Sequence, residues 1–227
     1  MALPYDLIAF DVDGTLVDDT VFIWKTLHDH FGTDPTRREQ AYADYFSGGI
    51  SYADWFWNDI ALLRERGATR SAIEAIVAGM RLTGGVPETL HALRSAGARL
   101  VIISGSLEVV IRQFALAPWF DEIYLNRFDY GPDGVLIGGT PTPYDVGEKA
   151  TGLRHIAEAA GIPMDRTAFI GDNFNDVSVA EAAGFSIAFN CKSDALAAVA
   201  DVVVEGGDLR RILPYLLRSH DSMTGSR

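Results

Sequence analysis

The sequence predicts an α/β protein: a Rossmann-like, doubly wound parallel sheet with helices on both faces and a helical cap domain inserted after the first strand. Three observations predict it. Short apolar runs rich in aromatic and β-branched residues alternate with helix-length amphipathic stretches, as parallel strands joined by crossover helices require. Several of those stretches end in glycine, which suits a helix C-terminus. One long segment, about residues 17–83, breaks the alternation with helix after helix and no convincing buried strand.

In chain order, residues 5–10 read as the first buried strand and residues 17–83 as the aromatic-rich cap. The Thr83-Gly84-Gly85-Val86-Pro87 stretch is the expected return hinge, because glycine frees the backbone and proline restarts a helix. Helices are then expected over 87–95, 107–115, 148–160 and 177–183, with Gly97, Gly161 and Gly184 as C-caps. Strands are expected over 99–103, 123–125, 167–170 and 185–189. Residues 127–146 read as a β-hairpin, turning at Gly131-Pro132-Asp133-Gly134, followed by an irregular loop. The core is thus expected over 1–16 and 84–219, and 220–227 as a disordered tail. Ligands of such a sheet bind outside the carboxyl ends of its strands, so functional residues should follow strands directly.

Composition narrows the function classes. With 227 residues, 48% hydrophobic and 22% charged, the chain resembles an ordinary globular protein and contains no apolar run of the ~20 residues a membrane helix needs. Its 19 Lys and Arg against 31 Asp and Glu give 19 − 31 = −12, a field that repels nucleic acid. A small phosphorylated metabolite is compatible, since local cations and a metal ion outweigh distant carboxylates. The opening MALPYDLIAFDVDG lacks a basic leader, so a cytoplasmic location is expected, with a monomer or homodimer as the assembly. Cys191 is the single cysteine and can form no internal disulfide.

Two acidic pairs follow apolar strands. In Phe10-Asp11-Val12-Asp13-Gly14-Thr15 the acids are two residues apart, and side chains so spaced on a strand converge on one side. Close like charges call for a cation or a shared proton, and oxygen-only ligands suit Mg²⁺. A turn that merely ends a strand would also account for this stretch alone. The pattern recurs in Phe169-Ile170-Gly171-Asp172-Asn173-Phe174-Asn175-Asp176, where helix capping explains Asp176 but not Asp172. Donors for a phosphate are expected from Ser104 and Gly105, after the 99–103 strand, and from Lys149. Lys149 opens a helix, an unfavourable place for a cation unless an anion accompanies it.

In this order DVDGTLV, IISGS, Lys149 and GDNFND resemble the four signature motifs of the haloacid dehalogenase superfamily of phosphohydrolases, and the insert resembles the cap of the branch that includes phosphoserine phosphatase. The resemblance implies that Asp11 attacks phosphorus and that Asp13 protonates the leaving oxygen and then activates water. It implies Mg²⁺ on Asp11, the Asp13 carbonyl and Asp172, with Asp176 acting through the metal's waters. Ser104 and Lys149 would neutralise the phosphoryl oxygens, with Gly14, Thr15, Gly105 and Asn175 completing the phosphate site. Because Asp13 can protonate an alkoxide, the pattern points to ester cleavage rather than dehalogenation.

The cap departs from that branch. Thr20 stands where a glutamate would meet the serine amine, and Asp59 where an arginine would grip its carboxylate, which reverses the electrostatics. Trp55 and Asp59 are therefore read as candidate substrate contacts, fitting a phosphoryl-amine such as phosphoethanolamine or phosphocholine, although large aromatics are chiefly packing residues and Trp55, Phe56 and Trp57 read first as the small core of the cap. A phosphomutase, a phospho-receiver and a non-catalytic metabolite-binding homologue are the remaining alternatives.

Overall fold

The computed structural model describes residues 3–18 and 22–217, so the expectations for Thr20 and for the 220–227 tail fall outside it. The chain runs β1 (Leu7–Phe10), β2 (Val17–Asp18), α1 (Ile23–Phe31), α2 (Pro35–Phe46), α3 (Tyr52–Glu65), α4 (Arg70–Ala78), β3 (Arg81–Leu82), α5 (Val86–Ser95), β4 (Arg99–Leu107) and α6 (Glu108–Gln113). It continues through β5 (Glu122–Tyr130), β6 (Leu136–Thr140), α7 (Lys149–Ala160), β7 (Thr167–Gly171), α8 (Val177–Ala182), β8 (Phe185–Phe189), α9 (Asp194–Val199), β9 (Val202–Val204) and α10 (Leu213–Leu216). Seven strands form one sheet in the order β6-β5-β4-β1-β7-β8-β9, parallel throughout except for β6, which returns antiparallel to β5.

Strand alternation builds both layers. Leu7 and Ala9 of β1 pack with Val101, Ile103 and Phe169 against Leu153 and Ile156 of α7. Ile8 and Phe10 point the other way, into the core that Leu90 and Leu93 of α5 close from outside. Burial of β1 on both faces explains its unbroken apolar run. The same larger core continues into the cap through Ile23, Leu27, Ile60 and Leu63.

Four helices occupy residues 23–78, and Arg81–Leu82 pairs antiparallel with Val17–Asp18. This two-residue ribbon is where the chain leaves and re-enters the core, a strand pair too short to register as apolar alternation. Three other expectations are corrected. Strand β4 continues through Ser104 to Leu107, so its helix covers only Glu108–Gln113. Strand β5 extends to Tyr130, because its outer half pairs with β6 across the Gly131–Gly134 turn. Gly184 is not a C-cap: α8 ends at Ala182, and Gly184 instead lets the chain pass close to Asp165. Gly161, by contrast, caps α7 in the left-handed region at φ 67°. Among the described residues no helix is long and apolar enough to cross a membrane.

The Gly184 contact is testable. An added methyl would lie 2.6 Å from the Asp165 backbone, which cannot swing aside, so Gly184→Ala should cost about 1–3 kcal/mol in urea denaturation with an unchanged m-value.

Candidate active site

The site forms where β1, β4 and β7 end. Asp11 extends the β1 register by one bond, its N–H donating to the Ile170 carbonyl at 2.9 Å. The chain then turns at Gly14, φ +80°, whose N–H meets the Val17 carbonyl at 2.8 Å. A side chain at Gly14 would collide with the Asp172 carboxylate and the Lys192 ammonium. After β7, Asp176 folds back so that its Oδ2 accepts from the Asp172 and Asn173 amides at 2.9 and 3.3 Å.

Lys149, wholly buried at the first position of α7, donates to Asp11 Oδ1 at 2.5 Å and to Asp176 Oδ1 at 2.6 Å. Carboxylate oxygens of Asp11, Asp172 and Asp176 all lie within 4.8 Å of one another. Burial pushes the Asp11 carboxyl well above the usual carboxylate range despite Lys149. Burial and the neighbouring Asp176 push Asp172 up to about 7, although Lys192 Nζ stands 2.8 Å from its Oδ2. For Lys149 burial alone would lower the ammonium, but Asp11, Asp176 and Asp145 outweigh it and hold it protonated. The centre is short of positive charge.

Asp13 points elsewhere. Because β1 ends at Phe10, strand alternation does not apply beyond it, and the Asp13 carboxylate accepts from Ser106 Oγ and from the Ile23 amide, each at 2.7 Å. Burial pushes Asp13 up to about 6 against these two hydrogen bonds. Beside it, buried Ser104 accepts from the Ser106 amide at 3.1 Å. The Gly105 carbonyl receives the Trp24 indole at 3.0 Å and the Asn126 amide at 2.7 Å, and a side chain at Gly105 would strike Asp145.

A cavity of about 190 Å³ opens on Asp11, Asp13, Ser104, Gly105 and Asn175 and runs up to Trp55 and Asp59 of the cap. Val146, which also lines it, accepts at its carbonyl from the Tyr45 hydroxyl at 2.8 Å. Asp59 is buried and has His28 Nε2 at 3.1 Å from its Oδ1, close but without the alignment of a hydrogen bond. Lys149, Asp172 and Asp176 reach the site through Asp11 rather than as cavity wall. Gly14 and Thr15 stay outside the lining: Gly14 makes room for Asp172, and Thr15 is fully buried. Ser106, Asp145, Lys192 and Arg38 are site residues that sequence reasoning missed. Ser106 alone had a signal, as the second hydroxyl of Ser104-Gly105-Ser106.

Comparison with known proteins agrees with this geometry. The profile of haloacid dehalogenase-like hydrolases matches residues 8–181. The chain is 30% identical over 215 residues to a phosphoserine phosphatase of Idiomarina loihiensis, covering 94% of each. It is 33% identical over 196 residues to phosphoserine phosphatase SerB2 of Mycobacterium tuberculosis, spanning 86% of this chain but 46% of that longer protein. A solved phospho-aspartyl intermediate analogue of phosphoserine phosphatase superposes with TM-score 0.74 at 26% identity, over 93% of this chain and 99% of that one.

Removing the shared cation should be severe. Lys149→Met leaves Asp11 and Asp176 buried without it, and we expect a stability loss of about 3–5 kcal/mol at neutral pH in chemical denaturation, shrinking as the carboxyls protonate in acid.

Proposed function

The chain belongs to the haloacid dehalogenase-like hydrolases as a phosphatase, and we propose that it hydrolyses a small phosphorylated metabolite through an aspartyl-phosphate on Asp11. The observation that carries this reading is a division of labour between two buried acids: Asp11 is bound by Lys149 beside Asp172, while Asp13 is held separately in the same cavity. In the first step an Asp11 oxygen bonds to phosphorus and the ester P–O bond breaks, with Asp13 delivering its proton to the departing alkoxide. In the second, Asp13 takes a proton from water as its oxygen attacks the same phosphorus, which frees Asp11 and inorganic phosphate. Ser104 and Lys149 offset negative charge on the phosphoryl oxygens, and Asn175 borders the same space.

The centre fits Mg²⁺. Its donors are all oxygen, three carboxylate oxygens lie within 4.8 Å, and burial leaves them short of cations. Asp11 and Asp172, with the Asp13 carbonyl, would hold the ion, and Asp176 would act through its waters. Bound there, the ion supplies Lewis-acid charge to the transferring phosphoryl group. The reading places the protein in the cytoplasm, for which its single cysteine is suited.

Two measurements test it. Asp11→Asn should lower Mg²⁺-dependent phosphate release from p-nitrophenyl phosphate by roughly 10³-fold or more. Steady release at the wild-type rate would remove the mechanism. The second concerns pH. Asp13 must begin protonated, and its shift to about 6 enlarges that population near neutrality. For an alkyl phosphate, kcat/KM should therefore fall about tenfold per pH unit above that value. For p-nitrophenyl phosphate the fall should be shallower, since its phenolate leaves without a proton. Identical alkaline limbs would take the acid role from Asp13.

A further inference from the structure

We propose that Lys192 selects the ion of the centre: by occupying one oxygen of Asp172 it holds that carboxylate to a single free oxygen, and so favours Mg²⁺ over Ca²⁺. The inference rests on the Mg²⁺ reading above and adds to it a positioning residue that stands outside the cavity lining.

The oxygens of the cluster point to it. Asp11, Asp172 and Asp176 bring two each, and the protein engages most of them. Lys149 takes Asp11 Oδ1 and Asp176 Oδ1. The amides of Asp172 and Asn173 both donate to Asp176 Oδ2. Lys192 Nζ takes Asp172 Oδ2 at 2.8 Å. Among the described residues, the oxygens left over are Asp11 Oδ2 and Asp172 Oδ1, one on each carboxylate assigned to the ion.

That count discriminates between ions. Mg²⁺ takes an octahedron of ligands at about 2.1 Å, keeps several waters and is content with one oxygen from each carboxylate. Ca²⁺ gathers roughly six to eight oxygens at longer distances and often binds a carboxylate through both of its oxygens. A clamp on the second oxygen of Asp172 therefore withholds a ligand that Ca²⁺ would use and Mg²⁺ would not.

The local chain holds Lys192 in this role. Asn190, in the left-handed region at φ 45°, turns the backbone after β8, and the Lys192 N–H then donates to the Asp172 carbonyl at 2.7 Å. Lys192 thus grips Asp172 by main chain and side chain alike. Gly14 leaves room for it, since a methyl there would lie 2.5 Å from the ammonium and against the carboxylate. Lys149 is wholly buried between two acids, whereas the Lys192 side chain is 35% exposed, so it can be replaced without stranding a buried charge pair. Its ammonium also repels a neighbouring cation, but that repulsion acts alike on any divalent ion. Only the oxygen count separates Mg²⁺ from Ca²⁺, and the ratio of the two affinities isolates it.

The test follows Mn²⁺ bound to the protein through the EPR signal of the free ion, with Mg²⁺ and Ca²⁺ as competitors, on wild type, Lys192→Met and Lys192→Arg. Lys192→Met frees the second Asp172 oxygen and should move the ratio of affinities toward Ca²⁺ by about fivefold or more. Lys192→Arg, which still donates to Asp172, should keep the ratio within about twofold of wild type. Should the methionine variant fail to fold, Lys192→Ala takes its place. Equal strengthening of both ions in Lys192→Met would reduce Lys192 to a counter-charge and overturn the selection, as would a ratio shifted as far in Lys192→Arg. If wild type holds neither Mn²⁺ nor Mg²⁺, the Mg²⁺ reading itself fails, and the inference with it.

Discussion

The buried ammonium of Lys149, shared between Asp11 and Asp176, is the contact on which the molecule is organised. It joins three parts remote in sequence: the end of β1, the start of α7 and the loop after β7. A cation at a helix N-terminus works against the dipole, and a wholly buried one is more costly still, so the position is tolerable only with acids against it. Those acids are in turn tolerable only with the lysine. Packing sets the geometry: Leu153 and Ile156 seat α7 on the face of the sheet that carries Leu7 and Ala9, which brings the helix's first residue over the strand ends.

A second organising group is Asn126, fully buried on β5. Its amide donates to the Gly105 carbonyl and to the Tyr52 hydroxyl, and its Oδ1 accepts from the Thr142 amide at 2.8 Å. One side chain thus ties the Ser104-Gly105-Ser106 stretch to the cap helix α3 and to the segment leading into α7. Burial and nearby Asp145 raise the Tyr52 phenol well above its ordinary range, so it stays neutral as a cavity wall. The antiparallel β5–β6 extension has a structural purpose in this light, since it supports the strand that carries Asn126.

Much of this was legible in the amino-acid order. Residues 7–10 are apolar on both faces because helices cover both, and Gly131–Gly134 announces its turn by its own chemistry. The acids stood out because two strands deliver them in the same way, and Lys149 because its helix position is wrong for a free cation. What was hidden depends on tertiary neighbours. Ser104-Gly105-Ser106 looks like a strand end, yet pairing with β5 carries β4 on to Leu107. Gly184 answers to the Asp165 backbone, a contact no local pattern encodes. Arg38 lies in an ordinary polar helix, Lys192 in a short loop and Asp145 in an irregular one, and only folding sets them at the site.

The bond from the Ile23 amide to Asp13 has a consequence for timing. Ile23 opens the first helix of the insert, and its neighbour Trp24 grips the Gly105 carbonyl. Raising that helix would strip Asp13 of an amide and open it to water, returning it toward the acidity of an ordinary aspartate. In the acid role proposed for Asp13, proton supply would thereby be tied to the lowered insert. An empty, gaping enzyme would lack a ready proton for the departing alcohol, and competence would come only once a guest has been enclosed.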